Sequence, residues 1–383
     1  MRLQLAPSTV FVLGVLGVLG VLGVFGPVPP ARGDGTLAVR GVYYKERATR
    51  VMQPMLDAMF DAGTHGVATG HFLVDAITSA SASSGAADAK PFTEKRYEAG
   101  LGYAHELGVF TLAGDAKYST ESDYVSRYLG ARAQAELGQK NTVLGLGGGI
   151  SLDTVSAAAA QGPSMPTLRC DAAHPVATSC PLDVYSLFAS ASQIVSRNAV
   201  LGVSVDVSTL RGLQSNPYRQ AIVGESLVPE RHPTERTREA FAASARYYIA
   251  PTGTTLIGAY RYYRDSWQVH AHTPEIRIVQ EAGYDVDASV RYRYYTQDGA
   301  YFYHARYPPD DPAMTQYVSD DVKLSDFTGH TFEAKLGVLG EAFDLGGRWA
   351  GARFEGILEY VIQHNRFGNA VIAHVALTLP FDY

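Results

Sequence analysis

Apolar and polar residues alternate along most of the chain, in segments of about ten residues that turn signals separate. The last segment is the clearest, because Val371, Val375 and Leu379 share one unbroken apolar face that runs on to Phe381. In residues 285–295, apolar or aromatic positions alternate with aspartate, serine and arginine. A period of two predicts β-strands whose two faces meet different surroundings. The pattern therefore predicts an all-β protein.

Sixteen such segments can be counted, and the connections between them alternate in length. The long connections, at 81–93, 154–183, 211–238 and 298–328, all follow odd-numbered segments. Short periplasmic turns that alternate with longer external loops are typical of transmembrane barrels, in which an even strand number returns both termini to the periplasm. We predict one antiparallel β-barrel domain over residues 34–383, with about 16 strands, or 14 if a short hairpin near the amino terminus lies outside the wall. The predicted strands begin near Leu37, Thr49, Gly66, Glu94, Val109, Tyr124, Asn141, Val184, Ala199, Glu239, Thr254, Val269, Tyr284, Gly329, Arg348 and Asn369. Pro54 and Pro274 fall inside two of these segments, where we expect a bulge or a local gap.

The apolar face can meet either lipid or a protein core. Tyrosines lie near predicted strand ends, and small residues such as Ala131, Ala133 and Ala135 lie on the apolar face. Small residues are tolerated against fluid lipid but leave voids in a packed core. This favours an outer-membrane barrel over the alternative, a soluble β-sandwich.

Composition and the amino terminus agree with export. The formal charge is -6 and only 18% of the residues are charged, which argues against binding to nucleic acid. A basic start, an apolar run and a small-residue exit make residues 1–33 a predicted secretory signal, with a membrane anchor as the alternative. In an exported protein, Cys170 and Cys180 predict a disulfide. The alternative is a metal site that uses both cysteines and His174 between them.

Two tyrosine-rich and arginine-rich runs, YRYYRDSW at 260–267 and RYRYYTQ at 291–297, resemble a bacterial family catalogued as a domain of unknown function. The resemblance implies an outer-membrane barrel and says almost nothing about activity. Family members look as though they are often encoded beside periplasmic flavin-attachment proteins, which implies a redox setting. Tyr383 is a departure, because such barrels usually end in phenylalanine.

The polar face assembles a predicted lumen lining of both charge signs. Its candidates are Arg246, Arg261, Glu275, Arg277, Asp285, Asp287, Arg291, Arg293 and Tyr295. Balanced charges favour ion-paired wall residues or a weakly selective pore, whereas Arg261, Arg291 and Arg293 with nearby tyrosines would make an anion or polar-solute constriction.

Asp265, Trp267, His270 and His272 are predicted rim residues. The two histidines share a face and have Glu275 nearby, so a metal site is an alternative to a polar girdle. The charged loops at 211–238 and 307–320 either fold inward as a plug or stay solvated.

We predict no enzyme, no cofactor and no bound metal, because the sequence lacks the nucleophile-elbow, zinc-helix and phosphate-loop motifs. The favoured function is a passive pore or scaffold for small polar solutes. One alternative is a plugged barrel that serves a periplasmic redox or secretion complex, and another is a hydrolase built from residues such as Asp206, Ser289 and His374. The expected partners are outer-membrane lipid and the barrel-assembly machinery, the latter reached through the carboxy-terminal strand with Phe381 and Tyr383.

Overall fold

The computed structural model describes residues 35–47, 49–79, 92–156, 168, 170, 177–217 and 219–381. The strands are β1 Gly35–Lys45, β2 Thr49–Asp61, β3 Gly66–Ser79, β4 Phe92–Leu107, β5 Phe110–Thr120, β6 Tyr124–Leu137, β7 Thr142–Ser156, β8 Ser179–Ser196, β9 Ala199–Gly212, β10 Gln220–Val223, β11 Ser226–Pro229, β12 Glu235–Ile249, β13 Thr254–Asp265, β14 His270–Ala282, β15 Val286–Gln297, β16 Phe327–Leu339, β17 Arg353–Gln363 and β18 Ala370–Phe381. A short helix, α1 Pro312–Thr315, and 3-10 turns at Ala250–Thr252, Val322–Leu324, Gly340–Phe343 and Gly347–Trp349 accompany them. In this part of the chain no helix is both long and apolar enough to cross a bilayer. The predicted signal at 1–33, together with His174 and Tyr383, lies outside the described residues.

Sixteen strands form one closed antiparallel wall. Each strand of the wall pairs with its neighbour in chain order, β9 pairs with β12, and β1 closes the ring by pairing with β18. Closure satisfies the backbone groups of every strand, which a sheet surrounded by lipid requires. The predicted barrel and its count of sixteen strands are confirmed. The separate hairpin β10–β11, which lies in the connection between β9 and β12, was not predicted.

Predicted and observed strand starts agree within two residues, with three exceptions. β8 begins at Ser179 and β12 at Glu235, both earlier than predicted, because pairing continues beyond the alternating apolar pattern. β17 begins at Arg353, later than the predicted Arg348, because two 3-10 turns lengthen the connection that precedes it.

Pro54 and Pro274 interrupt strand pairing locally. Pairing between β2 and β3 stops after Met52 and resumes at Met55, around Pro54, without a change of register. Pairing between β14 and β15 is interrupted in the same way around Pro274. Since proline has no N–H to donate, each site is a gap in the ladder and not a bulge.

The outer surface of the wall is apolar. Leu101, Leu129 and Val375 lie in the middle of their strands and are 74%, 66% and 65% exposed. Tyrosines near strand ends, such as Tyr103 and Tyr247, are exposed on the same surface. A soluble barrel would bury these side chains, whereas a membrane barrel presents them to acyl chains with aromatic residues at the interfaces. The apolar face therefore points outward.

Candidate functional site

Arg291 on β15 is the centre of an ion-paired group on the inner face. Its Nη1 lies 3.3 Å from Oε2 of Glu275 on β14. Its Nη2 lies 3.1 Å from Oε2 of Glu359 on β17 and also contacts Glu333 on β16. Arg277 joins the group, with its Nη2 3.5 Å from Oε1 of Glu333. These five side chains, which we call the central node, link four strands and are mostly buried.

A second ion-paired group lies below the central node, toward the periplasmic end. Nζ of Lys335 is 2.6 Å from Oε1 of Glu355, and Nε of Arg353 is 3.1 Å from the same oxygen. Arg353 also contacts Asp287 on β15. Lys335 contacts a carboxylate of the neighbouring strand β17, and Arg353 joins Glu355 of its own strand to Asp287 two strands away.

The two halves of the inner wall differ in the sign of their charge. Strands β12–β15 carry the inward arginines Arg236, Arg238, Arg246, Arg261, Arg277, Arg291 and Arg293. Strands β2–β9 carry the inward carboxylates Asp57, Asp75, Glu98, Asp115, Asp153 and Asp206. Part of the acidic wall is paired locally, since Nδ1 of His71 lies 2.7 Å from Asp57 and Nε of Arg96 lies 2.8 Å from Asp75. An arginine-rich wall thus faces an acidic one.

A strip of small residues lines the inner face of β4–β9. It consists of Gly100, Gly102, Gly130, Gly145, Gly147, Gly149, Ser186, Ser190 and Gly202. The ring of Phe188 packs over Gly147 and that of Tyr128 over Gly149, so closely that a Cβ on either glycine would overlap the ring. The two rings occupy the space beside the wall that side chains would otherwise fill. Outside these two rings, the strip adds little side-chain volume to an enclosure that sixteen strands make too wide for side chains alone to fill.

Four arginines and two tyrosines gather at the external end of the basic wall. We call Arg236, Arg238, Arg261, Arg293, Tyr263 and Tyr295 the outer basic cluster. Nε of Arg236 donates to Oδ2 of Asp265 at 2.8 Å, and the hydroxyl of Tyr263 donates to the same oxygen at 2.8 Å. The guanidinium of Arg236 also lies 4.0 Å from the ring centre of Trp267. These contacts fix the cluster at the base of the external connections 213–234 and 298–326.

The external connections fold together into a cap, which we define as residues 213–234 and 298–326. The two parts are joined by bridges between Val223 and Tyr307 and between Arg231 and Val318. Tyr307 and Val318 are fully buried there, with Ala221. The cap reaches inside the mouth, because the inward-facing Gln297 donates through Nε2 to the carbonyl of Ser325 at 2.6 Å.

Glu230 forms the polar core of the cap. Its Oε1 lies 3.2 Å from Nε2 of His232 and 3.6 Å from Nη1 of Arg219, and it accepts a hydrogen bond from Ser319. Nη1 of Arg219 is also 2.7 Å from Asp321. Burial alone raises the pKa of Glu230, but His232, Arg219 and the hydrogen bond from Ser319 outweigh it and lower the pKa to about 2. The cap is therefore built around an ionised carboxylate.

Cys170 and Cys180 are joined by a disulfide, with their Cα atoms 5.2 Å apart. Both pack with Leu168 against the inward-facing Val155 and Leu182 of the wall. Since the sulfurs are bonded to each other, they cannot serve as the thiolate ligands that the alternative metal site requires. Leu168 and the disulfide therefore lie inside the mouth of the barrel.

The structure separates the predicted site residues into several places. The inner face carries Arg246, Arg261, Glu275, Arg277, Asp287, Arg291, Arg293 and Tyr295. Asp285 does not line the lumen in a strand, because it lies in the turn before β15, where its carbonyl accepts from Leu339. Asp265 and Trp267 are buried at the external end, beside the cap.

His270 and His272 lie on the outer face, which contradicts the metal hypothesis that included Glu275. His272 packs against Tyr262 at 5.2 Å between ring centres, and His270 stacks on the same ring at 6.5 Å. Glu275 is an odd number of residues away from either histidine, so its side chain points to the opposite face of the strand. The two histidines and Tyr262 form part of a band of aromatic side chains on the outer surface.

Arg236 and Arg238 are site residues that the sequence analysis missed. They fell within the predicted loop 211–238, because β12 was expected to begin at Glu239. β12 begins at Glu235, so both arginines lie on the wall and face inward with Ala240. The alternation of Arg236, Arg238 and Ala240 with Thr237 and Glu239 was the available signal.

One group in the described part of the chain has the composition of a metal site. Oxygens of Glu94, Glu121 and Asp123 lie within 4.8 Å of one another at the external end of β4–β6. Such carboxylates are the donors that Ca²⁺ takes. The candidate hydrolase set is not assembled, because Ser289 and His374 lie three strands apart, roughly 14 Å along the wall.

The closed wall, the apolar outer surface and the charged interior define the class of protein: an outer-membrane β-barrel. The family model described as "Protein of unknown function (DUF3570)" matches residues 86–355, and the chain belongs to this family. The predicted membership in a family of unknown function is confirmed.

Solved structures of similar fold are outer-membrane proteins. A structure titled "Bacterial polysaccharide outer membrane secretin" aligns over 92% of this chain and 99% of its own, at 7% identity and a TM-score of 0.52. A BenF-like porin from Pseudomonas fluorescens Pf-5 aligns over 92% and 99%, at 9% identity and a TM-score of 0.46. Pseudomonas aeruginosa OccK2 (OpdF) in complex with glucuronate aligns over 91% and 98%, at 10% identity and a TM-score of 0.44. The likeness to the secretin structure shows a shared barrel fold and nothing beyond it. Among curated proteins, no significant match was found.

Proposed function

We propose that the chain is a passive pore in the Gram-negative outer membrane that admits small polar solutes. The proposal includes export through the periplasm after removal of residues 1–33. A single barrel with a polar interior and an apolar exterior is what such a pore requires. In this proposal solutes diffuse along the charged wall, and no bond is made or broken.

The small-residue strip on β4–β9 carries this proposal. It faces the arginine-rich wall, and the aromatic rings beside it lie over glycines. A barrel meant only as a rigid sheath gains nothing from glycines on its inner face, because glycine weakens a strand. A pore gains free cross-section beside a charged wall, which polar solutes and water can share.

The cap favours a second candidate, a plugged barrel that serves as sheath or partner of a periplasmic redox or secretion complex. Two external connections form the cap at the mouth. Tyr307 and Val318 are buried where the two parts of the cap meet. In this candidate the periplasmic turns carry the function. The pore candidate treats the cap as a narrowing of the mouth.

Assembly is proposed to use the carboxy-terminal strand. Phe381 packs edge-on against Phe60 at 5.5 Å on the barrel wall, close to the periplasmic end. An aromatic residue at this end is suited to the lipid interface and, in our proposal, to recognition by the barrel-assembly machinery together with Tyr383.

Conductance in planar lipid bilayers tests the pore. Purified protein is expected to produce stepwise current increases, and a variant that lacks residues 220–229, the β10–β11 hairpin of the cap, is expected to conduct more. Glycine to leucine changes at Gly145 and Gly202, on the strip, are expected to lower the conductance. Silence of both the intact and the shortened protein, with periplasmic proteins retained on it during purification, would favour the sheath.

A further inference from the structure

The outer basic cluster carries more positive charge than its surroundings balance. Two carboxylates lie near it: Asp206 on β9 faces Arg261, and Asp265, whose side chain is fully buried, contacts Arg236. Oδ2 of Asp265 accepts from Arg236 and Tyr263, while Oδ1 accepts from the backbone N–H of Trp267 at 2.9 Å and of Val269 at 3.1 Å. This carboxylate is therefore saturated with donors and neutralises one arginine.

Arg238 lies opposite Asp265 in the sheet but does not pair with it. Its side chain faces the lumen and is only 9% exposed, and its Nε has no hydrogen-bond partner among the described residues. A buried charge is costly unless it is paired and hydrogen-bonded. The position of Arg238 is thus one that an anion from outside the chain would stabilise.

Arg293 on β15 is a second inward arginine of the cluster without an ion-pair partner among the described residues. Within the described residues, Nη2 of Arg293 donates to the hydroxyl of Thr331 at 3.3 Å, and no carboxylate lies within ion-pair distance of its guanidinium. The glutamates nearest to it belong to the central node and already contact Arg291 and Arg277. In the part of the chain that the structure describes, two inward arginines of one cluster therefore have no carboxylate within ion-pair distance, and Tyr263 and Tyr295 lie on the same stretch of wall.

The cluster lies at the mouth of the barrel, below the cap. Arg236 stacks on Trp267, and Trp267 packs with Phe302 and Leu324 of the cap. The cluster therefore lies directly below the narrowing that the cap makes. A solute that enters past the cap meets the arginines before it meets the central node.

We propose that the outer basic cluster binds the anionic group of a small solute, a carboxylate or a phosphate, on its way through the barrel. The planar guanidinium fork matches the oxygens of either group and holds them by charge-assisted hydrogen bonds. Arg238 and Arg293 make these bonds. The proposal names the substrate class of the pore and so rests on the proposed function.

The test combines binding in detergent with transport in bilayers. The probes are succinate, inorganic phosphate and the uncharged erythritol. Succinate or phosphate is expected to raise the unfolding temperature of the purified barrel and to reduce its single-channel current at millimolar concentration, and erythritol is expected to do neither. Which anion acts at lower concentration identifies the carboxylate or the phosphate as the ligand group.

The variants are Arg238→Gln and Arg293→Gln, with Arg132→Gln as a matched control. Arg132 faces the lumen from β6, on the opposite wall, so its variant removes the same charge from the same interior. Loss of a charge-assisted hydrogen bond is expected to weaken the anion by about 10- to 100-fold in either cluster variant. The control is expected to stay within about threefold of the unchanged protein, since distant charges are screened. If Arg238→Gln fails to assemble, Arg293→Gln, which is less buried, carries the test.

Each outcome bears on one proposal. Stepwise conductance without any effect of the anions overturns the binding site and leaves the pore intact. Anion binding in detergent by a protein that never conducts supports the site and contradicts the pore. An equal loss in all three variants overturns the assignment to the cluster, because the effect would then come from the net charge of the lumen.

Discussion

Replacing Arg291 by glutamine should destabilise the barrel more than any other single loss of charge on its wall. The change leaves Glu275, Glu333 and Glu359 near one another, with Arg277 still within ion-pair distance of Glu275 and Glu333. Removing one partner of a buried ion pair costs about 3–5 kcal/mol. Glu275 and Glu359 keep 22% and 14% of their side chains exposed, so lumen water screens part of the repulsion. We expect the low end of that range, about 3 kcal/mol.

A double-mutant cycle with Glu333→Gln isolates the contact from general damage to the wall. Removing Glu333 as well relieves the repulsion, so the double variant should be more stable than the sum of the two single effects by about 1 kcal/mol or more. The measurement is unfolding by urea of the barrel in lipid vesicles, followed by the fluorescence of its two tryptophans.

The control is Arg348→Gln, in an exposed turn, which should change the free energy of unfolding by less than about 0.5 kcal/mol. Additivity of Arg291→Gln and Glu333→Gln to within about 0.5 kcal/mol would mean that the two side chains do not interact in the membrane. Our description of the central node would then be wrong.

Three further predictions concern the outer face, the mouth and the cap. Val375→Arg, in the middle of β18 on the lipid face, should cost about 2–4 kcal/mol and abolish the heat-modifiable band on gels, whereas His374→Arg, one residue away and inward, should keep it. Alkylation of unreduced, denatured protein should find no free thiol at Cys170 or Cys180, and labelling of both would contradict the disulfide. Because the pKa of Glu230 is about 2 in the folded cap against an ordinary 4.5, its stabilisation is complete above pH 4.5 and is lost as the pH falls toward 2, so limited proteolysis of the cap should increase over that interval. A cap equally resistant at pH 2.5 and pH 7 would show that the charge of Glu230 does not hold it.

The wall of the barrel could be predicted from the sequence because lipid imposes a local rule. Every second residue must suit acyl chains, so alternation alone located the strands, and the lengths of the connections gave their direction. The prediction was weakest where this rule stops, at strand ends outside the bilayer. For that reason Arg236 and Arg238 were placed in a loop.

The cap and the ion-paired groups depend on contacts that are distant in sequence. Glu230 meets Ser319 across 89 residues, and Arg291 meets Glu359 across 68. No local pattern encodes such pairs, because they follow from strand order and from the packing of loops. The error over His270 and Glu275 was of another kind: an odd separation within one strand places the two side chains on opposite faces.

The direction of the two faces is the claim on which the whole account depends, and fluorophores attached at successive positions of β18 measure it. Each of residues 371–378 is replaced by cysteine in a background without Cys170 and Cys180, labelled, and quenched by brominated lipid or by aqueous iodide. We predict that odd-numbered positions are quenched by the lipid and even-numbered positions by iodide. Quenching in the opposite phase, or without alternation, would contradict a wall with lipid outside and an aqueous interior.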